Sequence, residues 1–275
     1  MSKKIAIIND ISGYGRCSTA VILPIVSHLG IQGCALPTAI FSNHTGFPSF
    51  FCKDFTSSMP AYIREWQKLD LQFDGIMTGF LGSARQISIV QDFITQFRTP
   101  QTHVLIDPVM GDNGNMYPTY TLQLCREMKR LIAYADIVTP NLTEACFLTD
   151  TPYRASGWHQ AELRAMAHQL MDMGARHVVI TGILMGNGSI GNVVATPDGG
   201  IQFQRQLTVE QTRSGTGDVF ASILGADAVN GMDFAKSVKR ASKFVRKALI
   251  ETLKTETAHN TGIDFECVLD GLKRE

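Results

Sequence analysis

Short apolar runs alternate with longer stretches of helical periodicity along the chain, and this alternation constrains the fold more than any other feature. Residues 4–9 and 75–78 are short, nearly continuous apolar runs, which is typical of buried strands. Residues 58–71 instead place apolar side chains at intervals of three and four, which indicates a helix. Strands that alternate with helices in this way favour a parallel sheet covered by helices.

The complete pattern contains enough elements for one large α/β unit. It predicts strands over residues 4–9, 34–41, 75–78, 104–107, 137–139 and 178–181, and helices over residues 18–29, 58–71, 84–97, 122–134, 162–173, 218–230 and 234–253. Residues 191–195 and 201–206 predict a hairpin around Pro197-Asp198-Gly199-Gly200. We therefore expect one domain over residues 1–275, with a central, mostly parallel sheet, helices on both faces and a small flap formed by residues 40–55.

Charge and cysteine content exclude several classes of protein. Lys plus Arg and Asp plus Glu both total 25, so the net charge is zero and neither a nucleic-acid surface nor a membrane surface is expected. The six cysteines are scattered, without a C-x-x-C pair, which is typical of reduced thiols. The first apolar run is too short for a signal peptide. We expect a cytoplasmic protein.

A glycine-rich tetrapeptide, Gly215-Thr216-Gly217-Asp218, opens the predicted helix 218–230, which we expect to be amphipathic. Its two glycines let the backbone turn tightly and leave unpaired N–H groups at a helix N-terminus, where an anion such as phosphate is stabilised. A carboxylate among these donors could accept the proton of a hydroxyl that attacks the phosphate. A loop with an N-capping aspartate explains the tetrapeptide equally well. Taken alone, it leaves both interpretations open.

Acidic residues follow two neighbouring predicted strands. These segments are Asp107-Pro108-Val109-Met110-Gly111-Asp112 and Thr139-Pro140-Asn141-Leu142-Thr143-Glu144. Ligands of parallel sheets bind beyond the carboxyl ends of the strands, so the two aspartates could hold Mg²⁺ and the second segment could orient metal-bound water. The structural alternatives are a turn with capping aspartates and a helix start with a near capping box from Asn141 and Glu144.

Three other predicted strand ends carry polar residues. Thr181-Gly182 offers a hydroxyl and a glycine N–H to a phosphate oxygen. We interpret residues 9–16 as a glycine-bearing turn that presents Asp10 and Ser12 to a small polar substrate. This turn lacks the spacings of both a Rossmann dinucleotide site and a P-loop. Residues 41–47 place Ser42-Asn43-His44-Thr45 between aromatic side chains, which suits a flat, hydrogen-bonding ring, although a lone histidine is as often structural.

In this order the motifs resemble those of the ribokinase-like superfamily of small-molecule kinases, and most of all those of the pyridoxal, pyridoxine and pyridoxamine kinases of vitamin B6 salvage. The residues that carry the resemblance are Phe41-Ser42-Asn43-His44-Thr45-Gly46, Asp107-Pro108-Val109-Met110-Gly111-Asp112, Met116-Tyr117, Ala135-Asp136-Ile137-Val138-Thr139-Pro140-Asn141, Glu144 and Gly215-Thr216-Gly217-Asp218-Val219-Phe220-Ala221. They span most of the chain. The resemblance implies a three-layer α/β sandwich and ATP-dependent phosphorylation of the 5′-hydroxymethyl group of a B6 vitamer.

The resemblance also implies roles for individual residues. Asp218 would be the catalytic base, and the backbone N–H groups of Gly215, Thr216 and Gly217 would form an anion hole. The residues implied to hold Mg²⁺ are Asp107, Thr139 and Glu144, and a monovalent cation, K⁺ or Na⁺, is a further candidate cofactor. The residues implied to bind ATP are Asp107, Asp112, Tyr117, Asn141, Glu144, Thr181, Thr216 and Gly217. The residues implied to bind the vitamer are Asp10, Ser12, Asn43, His44, Thr45 and Asp218. A homodimer is implied as well, with the flap closing over the substrate to exclude water.

One segment departs from the B6 pattern. Asn9-Asp10-Ile11-Ser12-Gly13 stands where B6 kinases commonly carry Gln-Ser-His, and it is nearer to the Ser-Asp-Ser-Ser-Gly of hydroxymethylpyrimidine kinases. A hydroxymethylpyrimidine (phosphate) kinase of thiamine synthesis is therefore the alternative enzyme, although such enzymes often carry cysteine at the position of Asp218 and lack the Ser42-Asn43-His44-Thr45-Gly46 segment. An alternative of another class is a non-catalytic B6-binding regulator, which the intact tetrapeptide disfavours.

Overall fold

A nine-stranded sheet forms the centre of the protein in a computed structural model that describes residues 2–209, 213–255 and 259–272. Its strands are β1 (Lys4–Tyr14), β2 (Gln32–Asn43), β3 (Cys52–Asp54), β4 (Gly75–Thr78), β5 (His103–Ile106), β8 (Ile137–Val138), β9 (His177–Leu184), β10 (Ser189–Ala195) and β11 (Ile201–Leu207). They lie in the order β11-β10-β9-β8-β5-β4-β1-β2-β3. A separate ribbon pairs β6 (Gly111–Asp112) with β7 (Asn115–Met116).

The six strands from β9 to β2 in this order run parallel. The three outer strands, β3, β10 and β11, pair antiparallel. Strand β4 is buried along its whole length, as expected for a strand covered on both faces. The carboxyl ends of the parallel strands therefore meet at one edge of the sheet, where ligands of such sheets bind.

Eight helices in the described part of the chain cover the two faces of the sheet. They are α1 (Thr19–His28), α2 (Met59–Lys68), α3 (Ala84–Phe97), α4 (Leu122–Ile132), α5 (Leu142–Leu148), α6 (Gln160–Asp172), α7 (Thr216–Asn230) and α8 (Phe234–Thr252). One hydrophobic core lies under α2 to α6 and the other under α1, α7 and α8. The side chains of β1 alternate between the cores, because Ile5 and Ile7 pack in the second and Ala6 and Ile8 in the first.

This architecture confirms the predicted α/β class, the mostly parallel sheet with helices on both faces and the hairpin of β10 and β11. The predicted flap corresponds to the end of β2, the turn after it and β3, which pair antiparallel. A single domain over residues 1–275 stays a prediction. None of the helices in the described ranges combines the length and the apolar character that a bilayer crossing requires.

Two local predictions were wrong. Residues 9–14 were expected in a turn, but β1 continues to Tyr14 and pairs with β2 through Ile11↔Ile40 and Ser12↔Phe41, with a register shift after Asn9. Helix α7 is not amphipathic, because residues 219–227 are all buried between the sheet and its neighbouring helices. Tertiary contacts override local polarity in the strand and sequence periodicity in the helix.

Candidate active site

The carboxyl ends of the parallel strands meet the N-terminus of α7 on one face of the sheet. Asn9, Asp107 and Thr139 each follow a residue that packs in the core under α2 to α6, so alternation turns these three side chains toward α7. Asp218 lies in the first turn of α7. Its carboxylate interacts electrostatically with Asp107 and Asp10. The structure thus brings carboxylates from β1, β5 and α7 to one place.

The turn into α7 has the geometry of an anion cradle. Gly215 has a φ of 83°, and a Cβ there would overlap the carbonyl oxygen of Arg16. Only glycine combines this left-handed conformation with such a close approach. Gly217 is exposed, and a Cβ there would meet nothing within 4 Å. The first N–H groups of a helix have no partner within the helix, so those at the start of α7 could bind an anion there.

Asp218 has the electrostatic character of a base that works near neutral pH. Burial, together with the negative charges of Asp107 and Asp10, raises the pKa of Asp218 to about 7, while a hydrogen bond from the backbone N–H of Ser18 opposes the rise. A carboxylate with a pKa near 7 is partly ionised at physiological pH and basic enough to accept a proton from a hydroxyl. Such perturbed groups concentrate at functional sites.

A buried hydrogen-bond network holds the carboxylates at the ends of β5 and β8. The hydroxyl of Thr139 donates to Asp107 Oδ1 over 2.8 Å. Glu144 Oε1 accepts from the backbone N–H of Met110 at 3.1 Å, and Oε2 accepts from that of Asn141 at 2.8 Å. The side chain of Asn141 in turn accepts from the N–H of Glu144 at 2.9 Å, which completes a capping box at the start of α5. The structural interpretation of Glu144 as part of a capping box is therefore confirmed.

The donor set of this network fits a hard cation. Burial raises the pKa of Asp107 to about 6. Burial followed by the charge of Asp107 raises the pKa of Glu144 well above its ordinary value. Buried carboxylates that repel one another are relieved by a divalent cation, and Mg²⁺ uses one or two carboxylates together with waters and substrate phosphates. Within the described residues no group of three His, Cys, Asp or Glu side chains is arranged to hold a metal ion by itself.

We expect Glu144→Ala to lower the free energy of unfolding by about 2–4 kcal/mol, because two backbone N–H groups would lose their carboxylate acceptor and α5 would lose its capping box. Urea unfolding followed by circular dichroism measures this loss. Glu65→Ala is the matched control, since the Glu65 side chain is 66% exposed and forms an ion pair with Lys68 on α2. A Glu144→Ala effect as small as that of the control would contradict the structural role.

The residues implied to bind ATP lie around the same network. The amide of Asn141 donates to the carbonyl of Gly111 over 2.8 Å, which ties β6 to the start of α5. Thr181 donates its backbone N–H to the carbonyl of Pro140 at 2.9 Å and so lies beside this turn. Burial raises the pKa of Tyr117, with an added contribution from four carboxylates of the site, including Asp112. These contacts bring Asn141 and Thr181 to one turn and place Tyr117 within electrostatic reach of the carboxylates of the site, Asp218 included.

The predicted substrate residues on β1 and in the flap lie at or directly after the ends of β1 and β2. Asp10 is 5% exposed and accepts a hydrogen bond from the Ser12 hydroxyl over 3.0 Å. Burial raises the pKa of Asp10, and hydrogen bonds from the side chains of Ser18 and Ser12 oppose this rise. His44 Nδ1 accepts from the N–H of Gly46, so the ring proton is assigned to Nε2, which donates to the carbonyl of Asn260 over 2.8 Å.

The remaining flap residues mainly contact the flap itself. Asn43 accepts from the Ser42 hydroxyl at 2.7 Å and donates to the Ser49 carbonyl at 2.8 Å. Thr45 lies in the turn that follows β2. Phe47 contacts the His44 ring, with 4.7 Å between ring centroids. The segment that forms this side of the site is thus held by local hydrogen bonds and by aromatic contacts.

The sequence interpretation missed the segment that links the flap to the anion cradle. Asn260 accepts from His44 and donates to the Gly46 carbonyl over 3.1 Å. The next residue, Thr261, accepts a hydrogen bond from the backbone N–H of Arg16 at 3.0 Å. Ile263 donates to the carbonyl of Ser214, directly before the cradle. Nothing in the spacing of residues 259–263 predicts these contacts, because their partners lie tens to hundreds of residues away.

Comparison with known proteins gives one family model and several relatives. The family described as phosphomethylpyrimidine kinase matches residues 24–262. The pyridoxine/pyridoxal/pyridoxamine kinase of Bordetella avium (strain 197N) is 30% identical over 258 residues, which are 89% of this chain and 84% of that protein.

Solved structures with the same fold include two close in shape. A proposed phosphomethylpyrimidine kinase from Bacteroides thetaiotaomicron VPI-5482, crystallised with pyridoxal, is 39% identical; the match covers 99% of this chain and 96% of that one, with a TM-score of 0.95. The pyridoxal kinase from Lactobacillus plantarum is 26% identical; the match covers 99% of this chain and 96% of that one, with a TM-score of 0.90.

Proposed function

This chain belongs to the phosphomethylpyrimidine kinase family, and we propose that it is an ATP-dependent kinase for the 5′-hydroxymethyl group of pyridoxal, pyridoxine or pyridoxamine. The observation that carries the proposal is its similarity to the Bacteroides protein crystallised with pyridoxal. The Bordetella relative carries the name of the same activity. The base-like Asp218 beside an anion cradle supports the chemistry, because both are what phosphoryl transfer to a hydroxyl requires.

In the proposed reaction Asp218 accepts the proton of the hydroxymethyl group while the oxygen of that group attacks the γ-phosphorus of ATP. A new phosphorus–oxygen bond forms, the bond to the β-γ bridging oxygen breaks, and ADP leaves with the electron pair. The N–H groups of Gly215, Thr216 and Gly217 stabilise the charge on the transferred phosphoryl group. The glycines are needed because the backbone itself, rather than a side chain, must approach the phosphate.

The carboxylates at the ends of β5 and β8 are the proposed place of Mg²⁺. Asp107 and Thr139 would bind it, and Glu144 would act through a water molecule, because both of its oxygens already accept backbone N–H groups. When bound with ATP, Mg²⁺ neutralises charge on the phosphates. Asn141 and Thr181 would contact ATP phosphates from the same edge, together with Asp112 and Tyr117. A monovalent cation, K⁺ or Na⁺, is a further candidate.

The ring of the vitamer would lie between the end of β1 and the flap. Asp10 and Ser12 would bind ring substituents from β1, and the substrate set is completed by flap residues Asn43, His44 and Thr45. Closure of the flap would exclude water from the phosphoryl group and so limit ATP hydrolysis. A cytoplasmic homodimer remains the expectation from the family.

A hydroxymethylpyrimidine substrate is the second candidate. The family description names phosphomethylpyrimidine kinase, and the Asp10-Ile11-Ser12-Gly13 segment resembles the corresponding segment of hydroxymethylpyrimidine kinases. Steady-state kinetics of the purified protein with ATP and each alcohol separates the two. We expect kcat/KM to favour a B6 vitamer by at least tenfold. A tenfold preference for the pyrimidine, which corresponds to about 1.4 kcal/mol in transition-state binding, would overturn the substrate assignment.

The pH dependence of the reaction follows from the pKa of Asp218. Because the base must be ionised and its pKa is raised to about 7, kcat/KM should increase as pH rises through about 7 and fall roughly tenfold per pH unit below it. If the base were an aspartate with an unperturbed pKa, this rise of kcat/KM would instead occur near pH 4. A kcat/KM profile between pH 5 and 9 measures it. A profile that is flat from pH 5 to pH 8 would exclude Asp218 as the titrating base.

A further inference from the structure

Asn9 carries a buried hydrogen-bond donor that the reaction steps above leave unused. The side chain is 2% exposed. Its Oδ1 accepts from the backbone N–H of Asp10 at 2.9 Å and from that of Phe80 at 2.8 Å. Two donors on this oxygen fix which end of the amide is oxygen and which is nitrogen. The direction of the NH₂ group is therefore set by the backbone of β1 and of the segment after β4.

The Nδ2 atom of Asn9 has no hydrogen-bond partner among the described residues. A buried donor without a partner costs about 1–3 kcal/mol, so such a group is usually satisfied by a water molecule, an ion or a bound ligand. The Asn9 amide lies close enough to the Asp218 carboxylate to stabilise its ionised form and so lower its pKa, but the contact does not have the geometry of a hydrogen bond. The unused donor is thus directed to the place where the proposed base must meet its substrate.

Gly79 maintains the space that this amide occupies. It follows β4 on the strand next to β1, and a Cβ there would lie 2.6 Å from Asn9 Cγ and 2.7 Å from Oδ1. Its backbone does not have the left-handed conformation that would require glycine on conformational grounds. Gly79 is therefore explained by the room that the Asn9 amide needs, and an alanine there would displace the amide without removing any polar group.

We propose that Asn9 is a further catalytic residue, whose Nδ2–H donates to the substrate hydroxymethyl oxygen while Asp218 accepts the proton of that oxygen. A general base must be within hydrogen-bond reach of the hydroxyl that it deprotonates, and the unpaired donor lies beside the same carboxylate. Held by both side chains, the oxygen keeps one lone pair free to attack the phosphoryl group. This inference rests on the proposed function, since it concerns the same hydroxyl.

A binding cycle with two ligands tests the contact without turnover. Pyridoxal and 5-deoxypyridoxal, which carries a methyl group in place of the hydroxymethyl group, are titrated calorimetrically into the wild type and into Asn9→Ala. We expect the substitution to weaken pyridoxal binding about fivefold, the effect of one lost neutral hydrogen bond, and to change 5-deoxypyridoxal binding less than twofold. A structural role would weaken both ligands equally, and that result would overturn the inference.

Gly79→Ala provides a second variant that keeps Asn9, in case Asn9→Ala destabilises the strand end. We expect the same selective loss for pyridoxal, with about a tenfold lower kcat in both variants. Thr78→Val is the matched control, because Thr78 Oγ1 is also buried without a partner but faces the opposite core; its affinities should not change. A wild type that binds neither ligand would contradict the proposed function itself. If the wild type binds pyridoxal but the two variants lose affinity for both ligands equally, only the role of Asn9 is contradicted.

Discussion

Asp218→Asn should lower kcat by 10²–10⁴-fold while the KM values for ATP and pyridoxal stay within about threefold of the wild type. An amide has the same shape as the carboxylate but cannot accept the proton of the attacking hydroxyl, and a general base contributes an effect of this size. Steady-state and single-turnover kinetics with pyridoxal and ATP measure the loss. Asp92→Asn is the matched control, because Asp92 is exposed on α3, remote in sequence from the site. Turnover that remains within threefold of the wild type would remove Asp218 from the role of base.

The same substitution should not destabilise the protein, which separates catalysis from folding. The pKa of Asp218 is raised by burial from 3.8 to about 7, so its ionisation is less favourable in the folded state than in the unfolded state. Stability is therefore lost as pH rises through this range, and at pH 8 the folded wild type carries an unfavourable charge. We expect Asp218→Asn to have an equal or higher melting temperature at pH 8. A lower one would indicate that the carboxylate is a structural acceptor.

Gly215→Ala should have the second largest effect on catalysis, about 10²–10³-fold in kcat/KM, by displacing the N–H groups of the anion cradle. The new Cβ would overlap the Arg16 carbonyl, and alanine at a φ of 83° is strained by about 1–2 kcal/mol. Removal of one oxyanion donor has a cost of this order in other enzymes. Kinetics with pyridoxal and ATP measure the loss of catalysis, and a thermal melt measures the backbone strain.

Gly231→Ala is the control for this change. Gly231 ends the same helix at a φ of 84°, but a Cβ there would meet no atom within 4 Å. The Gly231→Ala variant should therefore have a lower melting temperature, because of the backbone strain, and nearly wild-type kinetics. Equal losses of activity in the two variants would mean that strain in α7, rather than the position of the cradle, limits the reaction.

Elements with strong local periodicity could be predicted from the sequence. Strand β4 and helix α3 have the predicted bounds, 75–78 and 84–97, because a short apolar run and a long amphipathic one leave little ambiguity. Residues 9–14 could not be predicted as a strand, since Asp, Ser and Gly favour turns. They are extended because β2 continues beside them to Asn43, and that pairing depends on residues about 30 positions away.

The residues of the candidate site also fall into those that the sequence could predict and those that it could not. Asp218, Asp107 and Glu144 could be identified as candidates because each stands at a recognisable strand end or helix start, although the capping box also gives Glu144 a structural reason to stand there. Asn9 could not be assigned a role, since its orientation depends on the N–H of Phe80, which is 71 positions away. The link between Asn260 and the flap was missed for the same reason, because 216 positions separate it from His44.

The most direct test of a kinase acting on the 5′-hydroxymethyl group is the product that the purified wild type forms from pyridoxal, ATP and Mg²⁺, measured by mass spectrometry and ³¹P NMR. We expect pyridoxal 5′-phosphate and ADP in equal amounts. Asp218→Asn under the same conditions should form neither at a comparable rate. ADP and inorganic phosphate without a phosphorylated vitamer, or phosphorylation of hydroxymethylpyrimidine alone when both alcohols are present, would contradict the proposed function.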